Sequence, residues 1–336
     1  MKVKELGEFG LISLLAKLVA KESQTAAEIA GDAGFRLLLG IGDDAAAWRN
    51  PPSTELFTTD TMVEGVHFVL ERIGWRDLGW KIMAANYSDI AAMGGTPLYS
   101  IITLGLRDET SVEGIVDMYR GMLAVAGEYG GAIVGGDVVR SPTLFVTAAL
   151  TGATEGGIMT RSAARPGDQV AVTGSLGSSA GGLRMILQGL SFRSEVASHL
   201  LEAHHRPRPR IAQARILKDI GVLAAMDISD GLVDDLSKIC QASGVEGVVH
   251  AEKVPMSPLL EEAFPTDSLS LALGGGEDYE LLLTAPDATM KKASHALDVP
   301  VSVIGEIISG EPGRVTALDK EGHAKHVPKR GWNHFG

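Results

Sequence analysis

Short apolar runs in this chain end repeatedly in Asp beside Gly or Thr, as in Gly42-Asp43-Asp44, Thr58-Thr59-Asp60 and Gly135-Gly136-Asp137. Any one of them reads equally as a plain turn, because Gly and Asp are favoured there for backbone reasons alone. Together they load strand ends with carboxylates. Asp89 adds to them: Ile82, Asn86, Asp89 and Met93 fall on one helical stripe, which puts a carboxylate on an otherwise apolar face where it needs a partner. Local pairing within Asn86-Tyr87-Ser88-Asp89 is the plainer alternative. The second half carries Asp227-Ile228-Ser229-Asp230-Gly231 and Gly274-Gly275-Gly276-Glu277-Asp278. Capping of the helix that follows explains Asp230 but leaves Asp227 unexplained. Converging Asp oxygens repel one another unless a cation neutralises them, so the pattern points to bound divalent metal. Magnesium is the natural candidate, since it takes hard oxygen ligands and is commonly shared with substrate phosphates, which brings a nucleotide into the reading.

Other candidates are weaker alone. The segment Gly174 to Gly182 follows a strand and opens a helix, as a phosphate-cradling loop does, yet it lacks a Walker lysine and the dinucleotide glycine spacing, so close helix packing explains it as well. Arg161, near the middle of the chain, suits bidentate phosphate contact, although a surface arginine is the commoner outcome. His67 reads equally as a structural histidine.

The elements that must position these groups alternate. Leu11, Leu14, Leu15 and Leu18 predict an opening amphipathic helix. Strands are expected near 35–41, 55–60, 99–106, 131–138 and 143–151, with helices near 75–93, stopped by Gly94-Gly95, and near 110–129, where Val112, Ile115, Tyr119, Met122 and Ala126 form a stripe. Gly156-Gly157 and Pro166-Gly167 mark a break before a strand at Gln169 to Thr173. Beyond it come a helix after Gly181-Gly182, a Pro/Arg-rich stretch from Arg206 to Arg210, a helix from Asp230 to Ala242, and strands near 248–251, 279–285 and 301–306. The fold class is α/β (α+β), divided into residues 1–152 and 153–336. A length of 336 residues exceeds what one hydrophobic core ordinarily supports.

Composition excludes several classes. Lys plus Arg total 30 against 42 Asp plus Glu, a formal charge of −12 that repels nucleic acid and anionic lipid. Glu5, Glu8 and Lys17 suit neither a signal peptide nor a membrane span. Cys240 is the only cysteine, which rules out an intrachain disulfide and a thiolate zinc site and fits a reducing cytoplasm.

Taken together the strings resemble the thiamine-monophosphate kinase family, of the aminoimidazole ribonucleotide synthetase-like superfamily. The likeness runs in order through Gly40 to Ala45, Thr59 to Phe68, Asn86 to Gly94, Gly135 to Asp137, Val172 to Gly174, Asp227 to Leu232, Gly275 to Leu281 and Trp332 to Phe335. It implies an N-terminal domain with a mixed sheet and helices that binds ATP and magnesium and pairs with a second copy in a homodimer. A C-terminal α/β domain would complete the substrate site. Residue by residue, it assigns magnesium to Asp44, Thr58, Thr59, Asp60, Asp89, Asp137, Asp227 and Asp230. It assigns ATP to Tyr119, Gly136, Asp137, Arg161 and Ser229, and thiamine monophosphate to His67, Glu277 and Trp332. No covalent or general-base residue is expected. A purine-synthetase-like enzyme of the same superfamily and a two-metal phosphatase are the alternatives, the first disfavoured by the Val63 to Phe68 and Trp332 to Phe335 strings.

Overall fold

The computed structural model describes residues 1–6, 8–22, 34, 36–39, 47–49 and 53–325, and elements are numbered among those residues. They form two units, Met1–Ile90 with Gly95–Gly156, and Ala91–Gly94 with Gly157–Gly336. Both are mixed α/β, as the alternation of apolar runs and helical stripes requires. No helix among the described residues is long and apolar enough to cross a membrane.

The first unit runs α1 (Val3–Leu6), α2 (Glu8–Glu22), β1 (Arg36–Leu39), β2 (Ala47–Arg49), β3 (Thr54–Val63), α3 (Trp75–Ala92), β4 (Thr96–Leu106), α4 (Val112–Tyr129), β5 (Ala132–Arg140) and β6 (Phe145–Thr154). Strands β1 and β2 pair with each other, while the main sheet has the order β3-β6-β4-β5. Within it β4 and β5 are parallel, and β6 runs antiparallel to both of its neighbours. Parallel neighbours need a crossover, and α4 supplies it. Side chains alternate across the sheet. Leu56, Met62, Ala148, Leu150, Ile102 and Leu104 are buried on one side, whereas Phe57, Ile101 and Val139 remain 71%, 45% and 39% exposed on the other. Helix α4 buries the predicted stripe, Tyr119 included. Helices α3 and α4 cross with backbones touching: a side chain at Gly79 would run into the carbonyl of Met118, and one at Gly121 into that of Arg76. Helix α3 ends where expected, with Gly94 at φ 75°. There the N–H of Gly94 donates to Ala91 and that of Gly95 to Ile90, closing the last turn.

The second unit runs β7 (Gln169–Thr173), α5 (Ser178–Gln188), α6 (Ser194–His205), α7 (Ile211–Asp219), β8 (Ala224–Asp227), α8 (Leu232–Ser243), β9 (Glu246–His250), α9 (Pro258–Ala263), α10 (Ser268–Gly274), β10 (Leu281–Ala285), α11 (Asp287–Ala296), β11 (Val301–Ile308), β12 (Val315–Leu318) and β13 (Ala324–Lys325). Its sheet has the order β13-β12-β9-β11-β7-β10-β8. Strand β10 is buried at every position, as a strand covered on both faces must be. Leu236, Ile239 and Cys240 of α8 pack with Val172, Val249, Leu282 and Ile304 of the strands. The Cys240 thiol is fully buried, and burial, seconded by the charge of Glu246, pushes it up to about 11.

Two expectations are corrected. Helix α5 begins at Ser178, so Gly181-Gly182 lie inside it, where they let the helix approach Leu200 and Leu260. Helix α8 begins at Leu232 with Gly231 as its N-cap, and no side chain of Asp230 caps it.

Candidate functional site

In the first unit, strand alternation turns Thr58 and Asp60 to the same side as Leu56 and Met62 and leaves Thr59 exposed. Helix α3 brings Asp89 to that side, where the Thr58 hydroxyl donates to its Oδ2 at 2.6 Å. Thr59 instead donates to the Ala148 carbonyl at 3.0 Å. Burial first, and the negative charge of Asp89 second, push the Asp60 carboxyl up to about 6. Two elements thus hold two carboxylates close enough to repel. Asn86, one turn before Asp89 on the same stripe, is fully buried; its amide donates to Ile82, but its Oδ1 accepts no hydrogen bond. The paired carboxylates and the Thr58 hydroxyl are hard oxygen donors, a chemistry that fits magnesium.

The other predicted residues of this unit lie elsewhere. Asp137 is level with Thr103, in a row that continues through Thr147 to Thr61. Asp60 belongs to the next row, with Ala148, Ile102 and Gly136, so alternation sends Asp137 to the open face of the sheet. It is exposed there, and its carboxylate accepts the N–H of Val138 at 2.9 Å. Among the described residues no three His, Cys, Asp or Glu side chains converge on one metal position. Gly136 leaves no room for a side chain against the Ile102 carbonyl. Tyr119 is only 5% exposed, and burial makes its hydroxyl harder to ionise, so the structure uses it as core. His67 accepts the Val63 N–H on Nδ1 at 3.0 Å, which leaves the neutral ring's hydrogen on Nε2. Asp44 lies outside the described residues.

In the second unit Asp227 closes β8 and is 2% exposed. The loop after it is shaped by Asp235, whose Oδ2 accepts the N–H groups of Ser229, Asp230 and Gly231, each at 3.0 Å. Lys238 reaches Asp235 Oδ1 at 2.7 Å and also pairs with Asp230. The Ser229 carbonyl accepts the N–H of Glu277 at 2.8 Å. Glu277 and its neighbour Tyr279 adopt φ of 65° and 52°, a left-handed backbone unusual outside glycine. The Glu277 carboxylate lies 3.4 Å from Nδ1 of the buried His204. Below it Glu280 is gripped by Arg210, through Nε at 2.6 Å and through NH2, and by the Thr173 hydroxyl at 2.6 Å. Arg161 is exposed, with its carbonyl accepting from Ser243. Trp332 lies outside the described residues.

The Gly174 to Gly182 segment does not present a free phosphate cradle. The N–H groups of Gly177 and Ser179 already donate to Asp278, at 2.7 and 3.3 Å. Burial outweighs those bonds and, with Glu280 and Glu277 nearby, raises that carboxyl to about 7. Sequence reasoning missed Asp235, Lys238, His204 and the Arg210–Glu280 pair, and gave Asp278, within the Gly274 to Asp278 string, no role of its own. Asp235 carried a readable signal, since it shares a stripe with Leu232, Leu236 and Ile239, the same pattern that marks Asp89.

Carboxylates stationed at strand ends and helix faces of two consecutive α/β units define a class. Residues 42–154 match AIR synthase related protein, N-terminal domain, and residues 165–317 match its C-terminal domain. A thiamine-monophosphate kinase of Aquifex aeolicus is 35% identical over 338 residues, covering 100% of both chains. The crystal structure of thiamine-monophosphate kinase from Stenotrophomonas maltophilia K279a is 33% identical, covers 90% of this chain and 97% of its own, and superposes with a TM-score of 0.79. A structure of AaThiL complexed with AMPPCP and TMP is 34% identical, covering 100% of this chain and 99% of that one, with a TM-score of 0.76. The chain belongs to the thiamine-monophosphate kinase family.

Proposed function

We propose that the protein transfers the γ-phosphoryl group of ATP to thiamine monophosphate, giving thiamine diphosphate and ADP by direct in-line displacement. The observation that carries this reading is the Asp60–Asp89 pair, in which burial first and the charge of Asp89 second raise Asp60, in a chain of this family. The relative solved with AMPPCP and TMP supports the choice of substrates. The attacking phosphate oxygen is already ionised near neutral pH, because a phosphate monoester has its second pKa near about 6, so no side chain has to act as a strong base. The obstacle is charge: unit charges about 4 Å apart repel by about 1 kcal/mol in water, and by more inside a protein. Asp60 and Asp89 would hold magnesium, which would supply positive charge to offset this repulsion.

The chain's own groups bind and orient. Asp60 and Asp89 hold the cation, with Thr58 fixing the rotamer of Asp89. Asp44 of the first unit and Asp227 and Asp230 of the second are further oxygen donors carried over from the family, whereas Thr59 and Asp137 face the opposite side of the sheet from Asp60 and are not assigned to the cation that Asp60 and Asp89 hold. Gly136, Arg161 and Ser229 contact the nucleotide, and Tyr119 supports that side from the core. His67 lies on the thiamine monophosphate side, Glu277 orients the aminopyrimidine, and Trp332 stacks on a heteroaromatic ring. The open face bearing Phe57, Ile101 and Val139 is the surface for a second copy of the chain. The lone Cys240 suits a cytoplasmic enzyme.

Incubation with ATP and thiamine monophosphate, with and without magnesium, tests the reading. Magnesium-dependent thiamine diphosphate is expected. Inorganic phosphate alone would indicate a two-metal phosphatase, and no turnover a binding protein.

A further inference from the structure

Asp235 is fully buried in the first turn of α8, and its Oδ2 turns to the loop ahead of the helix. One oxygen gathers three consecutive amides, those of Ser229, Asp230 and Gly231. Three successive N–H groups aimed at one anion force the backbone to curl, as in an anion-binding nest, with a protein carboxylate in place of the ligand. Gly231 completes the curl at φ 124°, pressed so closely on Gly274 and Gly275 that no side chain fits. Lys238 supplies the counter-charge that a buried carboxylate requires.

The curled loop is laced to a second one. Ser229 accepts the Glu277 N–H, Ile228 accepts the Tyr279 N–H, and the Ile228 N–H donates to Glu280. Gly276 lies against the Ser229 carbonyl, and the left-handed backbone of Glu277 is held by this ladder. The segment carrying Ser229 and Asp230 and the segment carrying Glu277 therefore share one support.

We propose that Asp235 is a positioning residue for both substrates: through the three amides it sets the nucleotide-side loop, and through the Ser229–Glu277 bond it sets the thiamine-side carboxylate. The inference rests on the functional reading above for what the two loops hold. It is distinct from a purely structural role, because support of two ligands through one carboxylate predicts a paired loss of affinity.

The test combines amide hydrogen exchange without ligand and calorimetric titration of AMPPCP with magnesium, and of thiamine monophosphate, on the full chain. In Asp235→Leu, exchange at residues 229, 230, 231 and 277 accelerates by on the order of tenfold, and both affinities fall by a similar factor, the loss expected for a charged acceptor. Asp235→Asn keeps one carbonyl acceptor and recovers part of each loss. Glu277→Gln, the control, weakens thiamine monophosphate alone and leaves amides 229 to 231 protected. A folded Asp235→Leu that keeps wild-type protection at Glu277, or loses only one ligand, overturns the inference. If Asp235→Leu does not fold, Asp235→Asn decides: wild-type exchange at all four amides overturns it, and faster exchange there sustains it. Failure of the wild-type protein to bind either ligand would retire the functional reading instead, and the exchange data would still judge Asp235.

Discussion

At the scale of single residues, strain and charge are concentrated where ligands are expected. Asp60 prefers its proton in the folded protein up to about pH 6, against 3.8 ordinarily, because it is buried beside Asp89. A group whose folded pKa is raised contributes stability that is present at low pH and lost as pH rises through that value. Metal-free protein should therefore lose stability between about pH 4 and pH 6, and magnesium should restore it above that window, an outcome that melting curves across pH with and without the ion will read. A proton competes with the metal for Asp60, so apparent magnesium affinity should fall as pH drops below 6. Asp60→Asn removes the repulsion with the charge: the metal-free variant should melt no lower than wild type, while magnesium-dependent turnover is largely lost. A lower melting temperature with activity retained would remove Asp60 from the cation site. Glu277 offers a second case. Its left-handed backbone costs roughly 1 kcal/mol in a residue other than glycine. Glu277→Gly should thus hold stability level or raise it, while thiamine monophosphate binding weakens.

At the scale of elements, the α3–α4 crossing has no slack. The neighbours of Gly79 and Gly121 are backbone carbonyls, which cannot swing aside as side chains do. Gly79→Ala or Gly121→Ala should destabilise the first unit by about 1 to 3 kcal/mol, the usual range for overpacking. Gly127, in the same α4 helix, faces open space. Gly127→Ala should stabilise by about 0.5 to 1 kcal/mol, so denaturant melts of the pair separate packing from helix propensity. The contrast also shows what sequence reading can reach. The bounds of β7, the stop of α3 and the inward turn of Asp89 were legible, because each follows from a local period or a local breaker. The glycines of α5 were not, since a glycine that admits a phosphate and one that admits a neighbouring helix look alike until the neighbour is known. Asp230 was read as a cap because capping rules look ahead of the helix, whereas here a carboxylate within the first turn does the work from inside. Asp137 followed the same Gly-Gly-Asp logic as its counterparts, but a register shift in the β4–β5 pairing precedes it, and its face is decided by pairing partners far away in sequence.

At the scale of the whole molecule, the chain carries a formal charge of −12, and the open sheet face of the first unit exposes Phe57, Ile101 and Val139 among threonines and Asp137. Like-charged copies that meet through such a face should associate more strongly as salt screens their repulsion, the opposite of an interface built on ion pairs. Phe57→Asp places a charge on the edge strand of that face and should weaken the proposed self-association, with sedimentation equilibrium as the measure; association equal to that of the wild type would move the interface elsewhere. The second unit has a probe of its own in Cys240. A thiol held at about 11 and closed off from solvent ignores alkylating reagents at pH 8, and the sequence has no other cysteine to react in its place. Labelling then occurs only when the unit opens, at most one tag per chain, so mass spectrometry at timed intervals yields an opening clock. Any compound that binds the closed form slows that clock by the factor one plus its concentration over its dissociation constant, which lets candidate substrates be ranked with no phosphate ever transferred.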